Sequence, residues 1–301
     1  MFIADIFGYL LNFLYEFFGN YGISIIIFSV LLRLILLPIT INQQKSMKKL
    51  AKIQGEIQAI QAKYKNNPEK LNQETMELYK REKMSPFSGC FSAIIQIFII
   101  LSVFWLVSSP LTHMRNVQKL NLDLYNEYKT KVEENTSTKA NYKEIAMINL
   151  IEADYREIEE KLKEENIENR QELENRKQEL EKIRINMEFL GLDLSKVPTQ
   201  SLGDFRVYII PILYVVSSFI SIRLTTNSQN NKNNDNNENQ NGSEQAMQSM
   251  SKSMSYMMPI MSVSIAAVAP LGLALYWLIS NVLMIIERLI MKKFIDSKEE
   301  E

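Results

Sequence analysis

The chain has 301 residues, enough for two domains or one large core, but its one Cys and one His are too few for a zinc site or a disulfide framework and leave nothing to spare for a Cys-His pair, so metal and thiol chemistry are not expected. Its 34 Lys and Arg against 35 Asp and Glu leave a net charge of -1, which lacks the excess of cations that non-specific nucleic-acid binding requires, so direct DNA binding is not expected. The informative feature is segregation, because apolar and charged residues lie in separate blocks.

Residues 1–20 place Phe2, Ile6, Tyr9, Phe13 and Phe17 among Asp5, Asn12 and Glu16, with no Lys or Arg and no small-residue cleavage site, so the segment is expected to stay in the protein. It reads as an interfacial helix on the outer membrane surface; the competing reading is a prolongation of the first span, broken at Gly19 and Gly22. Residues 21–41, YGISIIIFSVLLRLILLPITI, are about 20 apolar residues at ~1.5 Å each, enough to cross a hydrocarbon core of roughly 30 Å. Further apolar blocks follow at 87–108, 205–224, 254–269 and 271–290. The fold class predicted is therefore all-α, a polytopic membrane protein with five transmembrane helices.

Orientation follows from the positive charges that flank short loops. Residues 42–84 carry Lys45, Lys48, Lys49, Lys52 and further Lys and Arg, whereas residues 1–20 carry none, so the basic loop is expected in the cytoplasm and the amino terminus outside. Five spans then put the Asn-rich loop 225–253 and the tail 291–301 in the cytoplasm, in agreement with Arg288, Lys292 and Lys293 beside the last span. Within 42–84, Leu50, Ile53, Ile57, Ile60 and Tyr64 recur at helical spacing before Asn66, Asn67 and Pro68, and Leu71, Met76, Leu78 and Tyr79 follow. This pattern is a helical hairpin, either a solvated spacer or a docking surface, with a lysine face suited to anionic headgroups.

Residues 109–204 form a long extracytoplasmic insertion. Ile151, Tyr155, Ile158 and Leu162, then Leu173, Leu180, Ile183 and Met187, repeat at near-heptad spacing and predict a long charged helix, weakened at 165–169, paired with a helix near 117–131. It reads as a spacer or self-contained hairpin, with partner contact as the alternative.

Arg33 lies near the middle of the first span, where an arginine is unfavourable by about 2.5 to 3.5 kcal/mol on insertion scales. No Asp or Glu falls in the core of another expected span, so a hydrated cavity is the expected compensation. Ser29, Ser92, Gln96, Ser217, Ser218, Ser221, Tyr276, Trp277, Ser280 and Asn281 are the polar candidates for its walls, although serines are also common helix-packing residues. Met247, Met250, Met254, Met257 and Met261 form one stripe into the fourth span, as core filling or as a surface accepting varied apolar segments. No phosphate-binding glycine loop, internal repeat or nucleophile-base pair is apparent, which argues against a nucleotide-driven machine, a repeat-built transporter and an intramembrane enzyme.

The stretches NYGISIIIFSVLLRLILLPITINQQKSMKKLAKIQ, SGCFSAIIQ, FLGLDLSKVP and MMPIMSVSIAAVAPLGLALYWLISN resemble the YidC/Oxa family of membrane protein insertases, in its Gram-positive-type bacterial branch. The resemblance implies an intramembrane groove open to cytoplasm and lipid, with Arg33 inside it and with Gln96, Ser92, Ser221, Tyr276, Trp277 and Asn281 as candidate groove residues. It implies cytoplasmic docking through Lys45, Lys48, Lys49, Lys52, Arg288, Lys292 and Lys293. Nascent integral membrane proteins are the implied substrates, delivered by the ribosome and the signal recognition particle pathway, alone or with the Sec translocon, in the bacterial plasma membrane. No cofactor, metal or catalytic residue is expected. The length of the insertion matches neither branch of the family, so the resemblance assigns it no role.

Overall fold

The computed structural model describes residues 2–83, 88–135, 142–164, 169–230 and 264–296. The chain forms two compact units, Leu31–Leu101 and the combination of Met1–Val30 with Ser102–Glu301.

Helix α1, Phe2–Phe18, and helix α2, Tyr21–Lys63, are separate elements. Gly19 takes the left-handed conformation at φ 64° and donates to the Tyr15 carbonyl at 2.8 Å, ending α1, while the Asn20 carboxamide accepts from Ile23 N at 3.0 Å and starts α2. The break between the first helix and the first span is thus real. The span expected at 21–41 and the hairpin arm expected from 42 are, however, one helix of 43 residues. Residues 42–63 are rich in Gln, Lys and Ala, which favour helix, and Pro38 removes one main-chain hydrogen bond without ending it.

In the Leu31–Leu101 unit, α3, Pro68–Arg81, starts at Asn67, whose carboxamide accepts from Lys70 N at 3.1 Å, with Pro68 at the first helical position. Ile53, Ile57 and Leu78 form a buried cluster flanked by Leu50, Ile60 and Tyr79, as the periodicity implied. The Tyr64 hydroxyl donates to Glu74 at 3.1 Å and Arg81 pairs with Glu56, so the hairpin has its own core and polar clasp. Helix α4, Ser88–Ser108, completes this unit through residue 101 and enters the other beyond it.

In the other unit, α1 has two apolar faces. Ala4, Gly8, Leu11 and Tyr15 are buried, while Phe2, Ile6, Tyr9, Phe13 and Phe17 are exposed. Short helices α5, Pro110–His113, and α6, Val117–Leu120, lead into α7, Leu122–Asn135, α8, Lys143–Lys161, and α9, Arg170–Ile183. The single long helix expected over 142–188 is therefore two helices followed by extended chain. One charged helix buries a narrow stripe, whereas folding back lets α7 and α9 both pack on α8. Tyr128 and Val132 of α7, Ile148, Ile151 and Tyr155 of α8, and Leu180 and Ile183 of α9 are buried there.

Ion pairs and cation–π contacts line the rim of this bundle. Arg184 donates to Glu152 at 2.6 and 2.9 Å with its guanidinium 4.0 Å from the Tyr155 ring centroid, and Arg176 grips Glu127 through two bonds of 2.6 and 2.7 Å. Burial raises the Glu127 and Glu152 carboxyls, but bonds from Arg176 and Lys131 and from Arg184 and Arg156 outweigh it and hold both below 4.5. Buried Glu144 accepts from Thr112 N at 2.9 Å and is pushed upward, chiefly by burial. Asp5 of α1 meets His113 Nδ1 at 2.7 Å, a hydrogen bond that lowers its carboxyl. Arg115 reaches Asn12 at 3.2 Å, pairs with Glu16 and donates to the Arg184 carbonyl at 2.7 Å, so α1 and the insertion are joined by polar contacts.

Residues 186–196 then run as a strap across helix ends. Asn186 N donates to the Tyr15 hydroxyl at 2.8 Å, and Asn20 Nδ2 donates to the Glu188 carbonyl at 3.0 Å. The strap contains a hairpin of β1, Glu188–Phe189, and β2, Leu192–Asp193, paired antiparallel. The Phe189 ring lies on Gly22, where an added Cβ would come within 2.3 Å of it. Two 3-10 turns, Pro198–Gln200 and Phe205–Tyr208, lead to α10, Ile209–Asn230. Helix α11, Leu271–Asp296, begins with Leu271 N and Gly272 N donating to the Lys196 and Leu194 carbonyls at 2.9 Å, which satisfies first-turn donors that a helix leaves open.

By length and hydropathy, Tyr21–Ser46, Phe205–Leu224 and Leu271–Met291 can each cross a membrane, and Ile94–Ser108 of α4 is a shorter apolar stretch. The span expected at 254–269 lies outside the described residues except for a helical turn at 264–268, and the Asn-rich loop and methionine stripe fall largely outside them as well.

Gly22→Ala is expected to destabilise the folded protein by about 1 to 3 kcal/mol by driving Phe189 off α2, read as a lower midpoint of denaturant unfolding in detergent. Because the Glu127 and Glu152 carboxyls titrate below their unfolded value of 4.5, the stability they lend is present above that pH and is lost as pH falls through their folded values. The unfolding midpoint should accordingly drop below pH 4.5, and Glu152→Gln should reduce that acid sensitivity while lowering stability at neutral pH.

Candidate functional site

The residues singled out for a groove fall in different units, and each unit has its own geometry. In Leu31–Leu101, Arg33 is half-buried in the apolar part of α2, about 12 residues from its start, which at ~1.5 Å each places it well within the span. Gln96 of α4 is exposed, and Ser92 belongs to the same helix with a side chain outside the described set. Lys45, Lys49 and Lys52 are exposed along α2 toward the hairpin, and Lys48 lies between them with its side chain likewise outside that set.

In the other unit, α10 and α11 pack along a polar seam. Buried Asn281 donates through Nδ2 to the hydroxyls of Ser217 and Ser218, both at 3.0 Å. The Ser217 hydroxyl itself donates to the Tyr214 carbonyl at 2.8 Å, so the amide has an oriented acceptor. One to two turns further, Arg288 reaches the Ser221 carbonyl at 3.3 Å and its hydroxyl at 3.4 Å. The ring of Trp277 is 6.0 Å from that of Tyr214, and buried Tyr276 is 6.4 Å from Phe28 of α2. Ser221, Tyr276 and Asn281 are thus buried helix-packing residues in this structure, and Trp277 is half-buried beside them. Ser29 likewise returns its hydroxyl to the Ile25 carbonyl at 2.7 Å.

Within the seam the serines of α10 find partners, as a hydroxyl or amide in an apolar medium must to be favourable. Arg288, expected as a docking residue, donates to Ser221 of α10, while Lys292 and Lys293 continue α11 with side chains outside the described set. The Phe189–Gly22 contact and the strap were not apparent from residue pattern. FLGLDLSKVP was visible as a resemblance, but no periodicity ties it to residue 22. Among the described residues no group of three or more His, Cys, Asp or Glu could hold a metal ion.

The described residues thus hold a half-buried arginine in a membrane-length helix, a helical hairpin carrying exposed lysines, and a strap across the first turns of α2 and α11. The family model described as "60Kd inner membrane protein" matches residues 13–299. The chain belongs to this family, the YidC/Oxa family. Curated relatives named "Membrane protein insertase YidC" include those of Fusobacterium nucleatum, 43% identical over 102 residues, and Clostridium perfringens, 44% identical over 102 residues. The matched stretch is 34% of this chain and 50% and 42% of those relatives. The relative in Buchnera aphidicola is 44% identical over 100 residues, 33% of this chain and 19% of its own length. The chain therefore spans half or less of the length of these curated relatives. Family members are inner membrane proteins by description, and the long apolar helices agree with that placement.

Asn281→Ala removes the two bonds that join α11 to the serines of α10. It is expected to weaken the pair by about 0.6 to 2 kcal/mol, seen as a lower unfolding temperature in detergent. Asn281→Asp should be worse, because a carboxylate cannot donate to both serines.

Proposed function

We propose that this chain is a membrane protein insertase that brings nascent integral membrane proteins into the bacterial plasma membrane, alone or with the Sec translocon. The observation that carries the reading is family membership over residues 13–299, together with an arginine half-buried in a membrane-length helix. In the mechanism, the Arg33 guanidinium attracts acidic residues of the segment being translocated, while a hydrated groove supplies hydrogen bonds that lipid cannot. Gln96 and Ser92 are its candidate polar residues in the Leu31–Leu101 unit, and Ser221, Tyr276, Trp277 and Asn281 are the candidates in the other unit.

Carrying one Asp through bare bilayer is unfavourable by roughly 3 kcal/mol, and each 1.36 kcal/mol removed from a barrier is about tenfold in rate. The membrane potential contributes about 2.3 kcal/mol per charge per 100 mV toward moving an acidic residue outward. These forces need no nucleotide and no catalytic residue, so the chain acts without enzymatic turnover and without a cofactor.

In this reading five spans cross the membrane with the amino terminus outside and the carboxyl terminus in the cytoplasm. Helix α1 lies on the outer surface, and the insertion of 109–204 stands beyond it. The α2–α3 hairpin, with Lys45, Lys48, Lys49 and Lys52, and the tail, with Lys292 and Lys293, face ribosomes, signal recognition particle components and anionic headgroups. Arg288 contributes there by holding α11 against α10.

Complementation of an insertase-depleted bacterium tests the reading. The wild-type chain is expected to restore growth, Arg33→Ala to fail, and Arg33→Lys to rescue in part if charge alone matters. A chain shortened across 121–183 should still rescue if the insertion is accessory. Failure of the wild-type chain, expressed and inserted at normal level, would contradict the assignment.

A further inference from the structure

The strap ends in an apolar tip that the insertase reading does not use. Residues 190 and 191 are the two turn residues of the β1–β2 hairpin, with φ of 50° at Leu190 and 74° at Gly191. A two-residue turn with both φ positive is the kind usually made by Asn-Gly or Asp-Gly. Glycine fits it freely, but leucine is strained there and lacks the polar side chain that would bond back to the turn. Leu190 is also 86% exposed, so among the described residues nothing covers its apolar surface.

Its neighbours suggest what covers it. The Arg206 guanidinium donates to the Gly191 carbonyl at 3.5 Å, setting the turn beside the start of the Phe205–Leu224 span. At that start Leu202 is 76% exposed and Phe205 78% exposed. From Phe205 an exposed stripe continues through Ile209, Ile212, Val216 and Phe219, at spacings of four, three, four and three, along one face of the membrane-length helix. The tip therefore lies at the end of the exposed apolar stripe of this membrane-length helix. Arg206 and Lys196 close its polar side through bonds to Asp204 at 2.9 and 3.0 Å, and they hold that carboxyl well below the usual range.

We propose that the 188–193 hairpin is a membrane-surface anchor, with Leu190, Leu202 and Phe205 seated at the headgroup–acyl boundary of the leaflet at the Phe205 end of the span. The occupant is the lipid itself. Apolar side chains gain by leaving water at that boundary, while the Arg206–Asp204–Lys196 cluster stays at headgroup level, where charge remains hydrated. The anchor sets the depth of the strap, and through Phe189 and the Leu194 and Lys196 carbonyls it sets the depth of the first turns of α2 and α11. It does not depend on which leaflet is outside or on the insertase assignment.

The test uses the full chain with Cys90→Ser and Leu190→Cys, carrying an environment-sensitive nitrobenzoxadiazole label, in phosphatidylcholine–phosphatidylglycerol vesicles. A label at Glu172→Cys, on the exposed face of α9, is the aqueous control, and one at Leu202→Cys repeats the measurement should the turn not tolerate labelling. The expected result is a blue-shifted emission at 190 and 202, quenched more by lipids brominated high on the acyl chain than by those brominated near its end, with the control unmoved. Emission and quenching at 190 and 202 equal to those of the control would overturn the proposal. So would protection from aqueous iodide without bromine quenching, which would assign the patch to a second copy of the chain.

Discussion

Main-chain hydrogen bonding at helix ends is the constraint on which this architecture rests. A helix leaves its first donors without partners, and next to an apolar medium those donors must be met by protein. Here the carbonyls of Leu194 and Lys196 meet the first N–H groups of α11, the Asn20 carboxamide meets Ile23 N at the start of α2, and the Asn20 amide in turn holds the Glu188 carbonyl. One strap of about a dozen residues thereby links α1, α2 and α11. Substitution of any single side chain in it removes one contact, but the main-chain bonds remain, which suits an element that has to hold the ends of three helices in place.

The insertion is built on the opposite physical principle. Around its apolar core it is laced by paired charge, as Arg184 lies between Glu152 and the Tyr155 ring and Arg176 between Glu127 and Tyr128. Exposed pairs of this kind contribute little singly, and a network around buried tyrosines does more because the partners hold one another's geometry. Arg115, with contacts to Asn12, Glu16, Tyr15 and the Arg184 carbonyl, connects this network to α1.

Much of the fold was legible in the sequence because hydrophobic blocks and helical periodicity are local signals. The spans around Arg33, 205–224 and 271–290, the hairpin core of Ile53, Ile57 and Leu78, and the break after Phe18 could all be read from spacing and capping residues. The continuity of α2 through residue 63 was not, since a basic stretch after an apolar one looks like a boundary although helix propensity is unbroken across it. The site was less legible. Asn281, Ser217, Ser218 and Ser221 are polar residues in apolar helices, and composition does not distinguish a hydrated wall from a seam in which each group has a partner. The wedge of Phe189 on Gly22 joins residues far apart in the chain, and no period could announce it.

The central claim is that a charged span in this chain lowers the barrier to moving polar segments across a bilayer. The most direct measurement is insertion of a short-tailed, single-span protein into vesicles containing only lipid and the purified full chain, with the translocated tail bearing either Asp or Ala and with a membrane potential imposed. Protease-protected tail is expected in vesicles holding the chain and little in empty ones, with the Asp tail depending on Arg33 and the Ala tail much less so. Equal protection in vesicles with and without the protein would contradict the account.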